Sequence, residues 1–549
     1  MFGVLSILAI IAATIYFIKW RSSRRRMYEL AEKISGPSWW KLAFNIFHFF
    51  KNHNTLLEYA YYLSFDPEFQ NVVKVWVGSR LVVLLFNPKD VEIILSSSVL
   101  LKKSQEYKLF ESWFGNGLLI TSGETWRHQR KMIAPTFHLN VLKGFMDDFN
   151  RNSKHVIERM SKENGKMFDC HEYMSEIMVE TLLETVMGVK QEFKNGACFS
   201  YAHSVIELCH ILHYRHIRPW YRQQFIFKLT NMSKEWDRNL QNIFKLTNKV
   251  FKIKKEDCSK NRSDHSKLES TLNKPVKKEV KGEDIIETQS DGKFSYGQAA
   301  GLKDDIDADE NEIGEKKRLP FLESLIDQSQ NGDKLTDQDI IDQINTIMFE
   351  GHDTTAAVSS FFLCVMAARQ DLQEKCIEEI NSIFGDSERP VIFQDTLEMK
   401  YLEKCIMETL RLFPPVPIIA RELEQEVPIK SENLILPKGS AVVICPFKIH
   451  RRPDIYPDPE TFDPDRFLPQ NAVNRHYYSF LPFSAGPRGC VGRKYAMLKL
   501  KILLANILRK FHIKPGKPIK DWKLQGDIIL KRSDKFEIAI ELRRTQNAC

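Results

Sequence analysis

The chain has 549 residues, 43% of them hydrophobic and 27% charged, with a formal charge of +8 at pH 7. That length suits one large compact domain or two or three smaller ones. The positive surplus is spread along the sequence with no basic block interleaved with aromatics, so nucleic acid is not an expected partner, and ten scattered cysteines with no C-x-x-C pair argue against a zinc module or a disulfide framework and for a reducing compartment.

Residues 2–18, "FGVLSILAIIAATIYFI", carry no charge, and Lys19, Arg21, Arg24, Arg25 and Arg26 follow at once. The run is long enough for one membrane helix. A cleaved signal peptide would begin with a basic region and end at a small-residue site. Here the charges come after the apolar run, which keeps the remainder on the cytosolic side. The sequence therefore predicts a signal anchor over 1–20, then a linker and amphipathic lead-in over 21–50 with "ISGPSWW" (34–40) as its Gly-Pro punctuation.

The main domain is expected over 51–549. Within it, "VVKVWVGSRLVVLLF" (72–86) reads as a β-hairpin turning at Gly78-Ser79, and Asn87-Pro88 opens a helix over 89–96. From about 125 to 250 the apolar period is helical, with amphipathic runs at 141–160 and 171–188. The aromatic and arginine-rich stretch 213–227 reads either as a membrane-facing loop or as a helix–helix connection.

Residues 252–315 differ from their surroundings. The first part, 252–282, has ten Lys/Arg against five Asp/Glu, and Asp304 to Glu315 has seven acids and no base. With few large apolar residues this segment predicts a disordered surface insertion. It is either a solvated loop or one whose opposed charges dock on the protein or on a partner.

A long apolar helix is predicted over 337–368, short strands around 433–445, a Pro-rich stretch over 446–469 and an amphipathic helix over 492–511. The fold class is mainly α with minor β. Just before the last helix stands "FSAGPRGCVG" (483–492), one cysteine among three glycines, a proline and an arginine. At a helix entrance Cys490 would have its thiolate favoured by free N–H groups. One thiolate ligand inside a backbone cradle fits haem iron better than zinc. A cysteine nucleophile is the competing reading, and it requires a histidine base.

The pattern F-x-x-G-x-R-x-C-x-G, filled by Phe483, Gly486, Arg488, Cys490 and Gly492, resembles the haem-ligand loop of the cytochromes P-450. "ETLR" supplies Glu408 and Arg411 of the E-x-x-R pair, "FDPDRF" (462–467) supplies Arg466, "EGHDTT" (350–355) resembles the oxygen-activation motif, and "WRHQR" (126–130) matches W-x-x-x-R. The resemblance covers essentially the whole chain. It implies a single large catalytic domain with a small β-rich part behind an N-terminal membrane anchor, and haem b as cofactor.

The resemblance also implies residue roles. Cys490 would be the axial ligand, the chain's only metal ligand. Phe483 would pack beside the haem, within a loop shaped by Gly486 and Gly492. Arg488, Trp126, Arg130 and Arg421 would bind its two carboxylates. Asp353 would relay protons inward beside the Thr354 hydroxyl, and Gly351 would leave room for oxygen. A mid-helix threonine can instead bond back to the preceding turn. Arg127 and Lys131 read as plain surface charge. Glu408, Arg411 and Arg466 would form a structural ion-pair cluster. Glu350 stands where most relatives have a small residue, and in family four a glutamate there can form an ester with a haem methyl.

The stretch 106–142 and "FEGHDTT" resemble family four, whose usual substrates are fatty acids and other long aliphatic chains. The insertion resembles that of the insect subfamily G, which implies oxidative decarbonylation of long-chain fatty aldehydes to cuticular hydrocarbons; terminal hydroxylation of fatty acids is the alternative. A haem-binding sensor or carrier without turnover, and a thiolate-haem isomerase, are the other readings, and both are weakened by the retained Asp353–Thr354 pair. No G-x-G-x-x-G follows a strand, so a separate redox partner is implied, and the resemblance implies that it is NADPH-cytochrome P-450 reductase, a flavoprotein that passes on electrons from NADPH. Arg493, Lys494, Lys499 and Lys501, together with the basic cluster around 126–131, would offer that partner a basic face, or simply a solvated helix face. The implied location is the endoplasmic reticulum membrane.

Overall fold

The computed structural model describes residues 2–38, 71–190, 196–271, 294–299, 319–332 and 335–543. The uncharged start forms helix α1 (Phe2–Ser23). Its stretch Leu5–Ser23 is long and apolar enough to cross a membrane, and none of it is buried against the rest of the chain. A second helix, α2 (Arg25–Glu32), lies within the expected linker and amphipathic lead-in over 21–50. Its Met27 and Ala31, with Ile34, pack into the same core as Val72 and Leu81. The globular part therefore starts before residue 51, and the rest of that lead-in lies outside the described residues.

The predicted hairpin is strand β1 (Val72–Val77) and strand β2 (Arg80–Leu85), paired antiparallel with Val72 opposite Leu85. Gly78 takes φ +61° in its turn, a conformation glycine adopts without steric cost. Helix α3 (Pro88–Leu95) starts as read: the Asn87 side chain accepts the Lys89 N–H and Pro88 occupies the first turn.

Helices α4 (Gly123–Ile133) and α5 (Met146–Met160), strand β3 (Met167–Asp169), then helices α6 (Cys170–Glu184), α7 (Ala197–Ile217) and α8 (Asn231–Thr271) make up the helical half. The stretch 213–227 is a connection between helices: it ends α7 and continues through two short helical turns, with Trp220 and Phe225 exposed.

The insertion is not uniformly disordered. Helix α8 extends to Thr271, and strands β4 (Phe294–Ser295) and β5 (Gln298–Ala299) form a hairpin. Charge docking explains the first: Lys254 pairs with Glu323 at 3.0 Å and Lys255 with Asp337 at 2.6 Å. The rest of 252–315 lies outside the described residues.

Helix α9 (Phe321–Gln330) leads to helix α10 (Asp337–Ala368), which has the predicted bounds. A capping box sets its start: Thr336 Oγ1 accepts the Asp339 N–H at 3.1 Å, and Asp339 Oδ2 accepts the Thr336 N–H at 2.9 Å. Helices α11 (Gln370–Phe384) and α12 (Lys400–Leu412) follow, then strands β6 (Ile419–Glu422), β7 (Val427–Ile429), β8 (Leu434–Leu436) and β9 (Ala441–Ile444). Helix α13 (Arg493–Lys510) and strands β10 (Phe511–Ile513), β11 (Leu524–Gly526), β12 (Leu530–Arg532) and β13 (Glu537–Leu542) close the chain.

The main sheet has the order β1-β2-β9-β6, with β2 and β9 parallel and the other pairs antiparallel. A second sheet orders β10-β13-β3. One large core surrounds α10, where Phe361, Phe362 and Leu363 are fully buried, and a smaller core lies under the main sheet.

Candidate functional site

The cysteine loop is fastened by its own backbone. The Cys490 N–H donates to the Phe483 carbonyl at 2.9 Å, and the Gly489 N–H to Gly486 at 2.7 Å. Gly486 has φ +68°, and a Cβ there would stand 2.0 Å from the Leu95 carbonyl oxygen, so only glycine lets the loop approach α3. Cys490 lies between buried Gly489 and Val491 yet is itself exposed. An accessible thiol within the protein's interior faces an internal space. Burial, with the nearby Glu350 carboxylate, raises its pKa to about 11. This reverses the expectation of a thiolate set by the helix entrance: the Gly492 N–H opposes the rise without overcoming it. A cation bound at the sulfur would favour the thiolate.

Cations converge on the same interior. Arg130 is buried on α4 and donates to the Gly489 carbonyl at 2.8 Å. Arg488 donates to the Leu101 and Leu118 carbonyls at 3.1 and 3.3 Å and lies 4.2 Å from the Trp126 ring centre. Arg421 on β6 is 2% exposed and donates to the Ala420 carbonyl at 3.1 Å. Lys103, which the sequence reading missed, bridges to Arg421 through the backbone, and its ammonium stands 4.5 Å from the Tyr107 ring centre. Burial lowers the Arg488 pKa to about 9, and the Arg421 and Arg130 charges add to the fall. The Lys103 pKa falls well below its ordinary value through burial, Arg421 and Arg488. Among the described residues, Lys103, Arg421 and Arg488 have no carboxylate at salt-bridge distance; Glu350 is the acid that acts on Lys103 and Arg488 from further away. Cations gathered in this way suit an anion placed among them.

Helix α10 presents different groups to different neighbours. Glu350 faces the cations, and burial raises its pKa to about 7 against the pull of Lys103, Arg130 and Arg488. Gly351 does not leave open space: a Cβ there would meet Leu182 of α6 at 2.9 Å, so this glycine serves helix packing. Asp353 is fully buried and pairs with Lys531 of β12 at 2.7 Å. Burial raises its pKa, but Lys531 and His352 outweigh this and leave it lowered. Its titratable neighbours are Lys531, His352 and His171, and the cations around Glu350 are not among them. The Thr354 hydroxyl donates back to the Glu350 carbonyl at 2.6 Å. The acid and the hydroxyl thus do not share one hydrogen bond, because adjacent helical positions point about 100° apart.

The donor set fits haem: one accessible thiol is flanked by buried neighbours, and buried Arg130 and Arg421 with half-buried Lys103 and Arg488 suit its acidic groups. A family model for the cytochromes P450 matches residues 34–540. The chain belongs to the cytochrome P450 family. It is 46% identical to "Cytochrome P450 4g15" of Drosophila melanogaster over 96% of this chain and 95% of that protein. It is 45% identical to "Cytochrome P450 4g1" of the same species over 88% and 84%. Against "Cytochrome P450 4V2" of Homo sapiens the identity is 32% over 88% and 84%. This places the chain among the family-four P450 monooxygenases, haem-thiolate oxidoreductases that act on lipid substrates with NADPH-derived electrons passed on by a reductase.

The ion-pair cluster of this P450 is as expected. Arg411 grips Glu408 with two bonds of 2.7 and 2.8 Å, both side chains fully buried, and Arg466 Nε lies 3.5 Å from Glu408. Arg411 also donates to the His450 carbonyl at 2.8 Å. The α13 part of the expected basic docking face does not survive. Arg493, Lys494, Lys499 and Lys501 are all buried, because α13 runs through the core, and Lys501 donates to the Thr396 carbonyl at 2.7 Å. Arg127 and Lys131 on α4 are exposed. Lys103 follows two leucines as one of a basic pair, a weak signal. Nothing in the sequence marks Lys531, which reaches α10 from a strand near the C-terminal end.

Proposed function

We propose that this P450 is anchored by α1 in the endoplasmic reticulum membrane, faces the cytosol, and carries out oxidative decarbonylation of long-chain fatty aldehydes to hydrocarbons. Identity of 45–46% to two relatives designated 4g, against 32% to the human 4V2 protein, supports the subfamily reading over terminal hydroxylation of fatty acids. The observation that carries the haem-thiolate assignment is Cys490, accessible among buried neighbours and opposite the cation group.

In this reading Cys490 would hold the iron through its sulfur, Arg130, Arg421, Arg488 and Lys103 would hold the two propionates, and Trp126 would pack beside them. Haem so bound supplies the activation of dioxygen with reductase-derived electrons. The chain's own residues handle the protons. Asp353 is held ionised by Lys531, so proton delivery inward begins by loosening that pair. Thr354 donates its hydroxyl hydrogen bond to the Glu350 carbonyl and keeps its lone pairs free to accept one from a proton donor. Glu350, partly accessible and near-neutral in its titration, is the group for an ester to a haem methyl.

Incubation with reductase, NADPH and a long-chain aldehyde should yield a hydrocarbon one carbon shorter. A hydroxylated fatty acid as the only product, with aldehyde and acid supplied side by side, selects terminal hydroxylation instead. For the ester, denaturing acid extraction should leave haem on the wild type and free it from Glu350→Ala; complete extraction from the wild type refutes the link.

A further inference from the structure

The hairpin inside the charged insertion lies against the cysteine loop. Ser295 pairs with Gln298, leaving Tyr296-Gly297 as a two-residue turn, and both turn residues have positive φ, +46° and +74°. That is the geometry of a type I′ turn, whose second position suits glycine. Two strands of two residues each have almost no stability of their own. Their order must come from what they touch. Gly297 and Gln298 are buried, and Tyr296 packs on the large core. A Cβ on Gly297 would stand 3.0 Å from both Met497 Sδ and Phe483 Cε2. Phe483 is the residue whose carbonyl accepts the Cys490 N–H, and Met497, fully buried, lies in the second turn of α13.

We propose that the Tyr296-Gly297 turn is a clamp on the cysteine loop: seated on Phe483 and Met497, it holds the peptide that carries Cys490 and so positions the sulfur that ligates the haem iron. This rests on Cys490 being the ligand. The turn is built for close approach, since Gly297 brings backbone against a ring and a thioether where any side chain would force them apart. A segment that by composition reads as a solvated appendage thereby contributes a positioning element to the cofactor site. Gly297 and Tyr296 touch neither substrate nor cofactor and act through Phe483.

The test compares full-length wild type with Gly297→Val and with a variant in which 294–299 is replaced by Gly and Ser residues. The readouts are the stability of the reduced, carbon-monoxide-bound thiolate spectrum and deuterium uptake by residues 483–492. In both variants the thiolate signature should decay at least about fivefold faster, the effect of a modest loss of loop stability, and uptake at 483–492 should rise. Gly297→Ala should show a smaller defect that Met497→Ala partly restores by making room for the new Cβ. Unchanged spectral stability and unchanged uptake in both variants overturn the clamp. If neither variant folds, uptake in the wild type decides: 294–299 should exchange more slowly than the flanking charged segments, and equal exchange overturns the proposal. A wild type with no thiolate signature at all would instead refute the ligand assignment beneath it.

Discussion

Asp353 and Lys531 show how a single ion pair ties function to stability. Both groups leave water, and their 2.7 Å contact is what offsets the cost of burying the aspartate. Lys531→Met strands a buried carboxylate and should destabilise the protein by about 3–5 kcal/mol, read as a lowered midpoint of chemical denaturation. Lys531→Met combined with Asp353→Asn should recover much of that loss, because no unpaired charge remains. Equal instability in the single and double variants would show that packing, not charge, holds β12 to α10. Glu350 shows the opposite case: it is surrounded by cations but still titrates near neutrality, because burial outweighs them.

At the scale of elements, the Glu408–Arg411 grip joins α12 to the irregular segment that leads to the cysteine loop, since Glu408 also accepts the Asp463 N–H at 2.8 Å and Arg411 reaches the His450 carbonyl. Arg411→Ala removes one charge of a fully buried pair and should cost about 3–5 kcal/mol, with loss of haem incorporation measured alongside expression of folded protein. Normal folding and haem content would contradict a structural role for the cluster. The elements that were legible in the sequence have strong local signals: α10 has a capping box and a long apolar run, and the β1–β2 hairpin has β-branched strands around a glycine. The motif order also placed Cys490, Arg130, Arg421 and Arg488 around one interior. What could not be read depends on tertiary direction. Gly351 faces α6 and Asp353 faces β12 because of where α10 lies among its neighbours. The lysines of α13 are buried because that helix crosses the core. The order at 294–299 comes from contact with Phe483 and Met497, about 200 residues away in sequence, which local composition does not encode.

The whole molecule carries an acid-labile feature. His171, His352 and His450 are buried and neutral, their pKa values lowered by burial to about 3, about 4 and about 3. A histidine whose folded pKa lies below its unfolded value of 6.5 stabilises the fold while neutral. That contribution is present above pH 6.5 and is lost as the pH falls toward the folded value. Between pH 6.5 and about 4, unfolding stability should therefore decline, by up to about 1.4 kcal/mol per pH unit for each histidine. Denaturation midpoints across this range check it, and a flat profile would mean that these sites open without unfolding.

The central claim is that one cysteine holds haem iron inside a cation-lined interior. The most direct measurement is the absorption spectrum of the reduced, carbon-monoxide-bound protein, wild type beside Cys490→Ala. The wild type should show the Soret band displaced to the long wavelength typical of thiolate ligation, and the variant should lose it. Folded, haem-loaded wild type without that band, or a variant that keeps it, would contradict the assignment of Cys490.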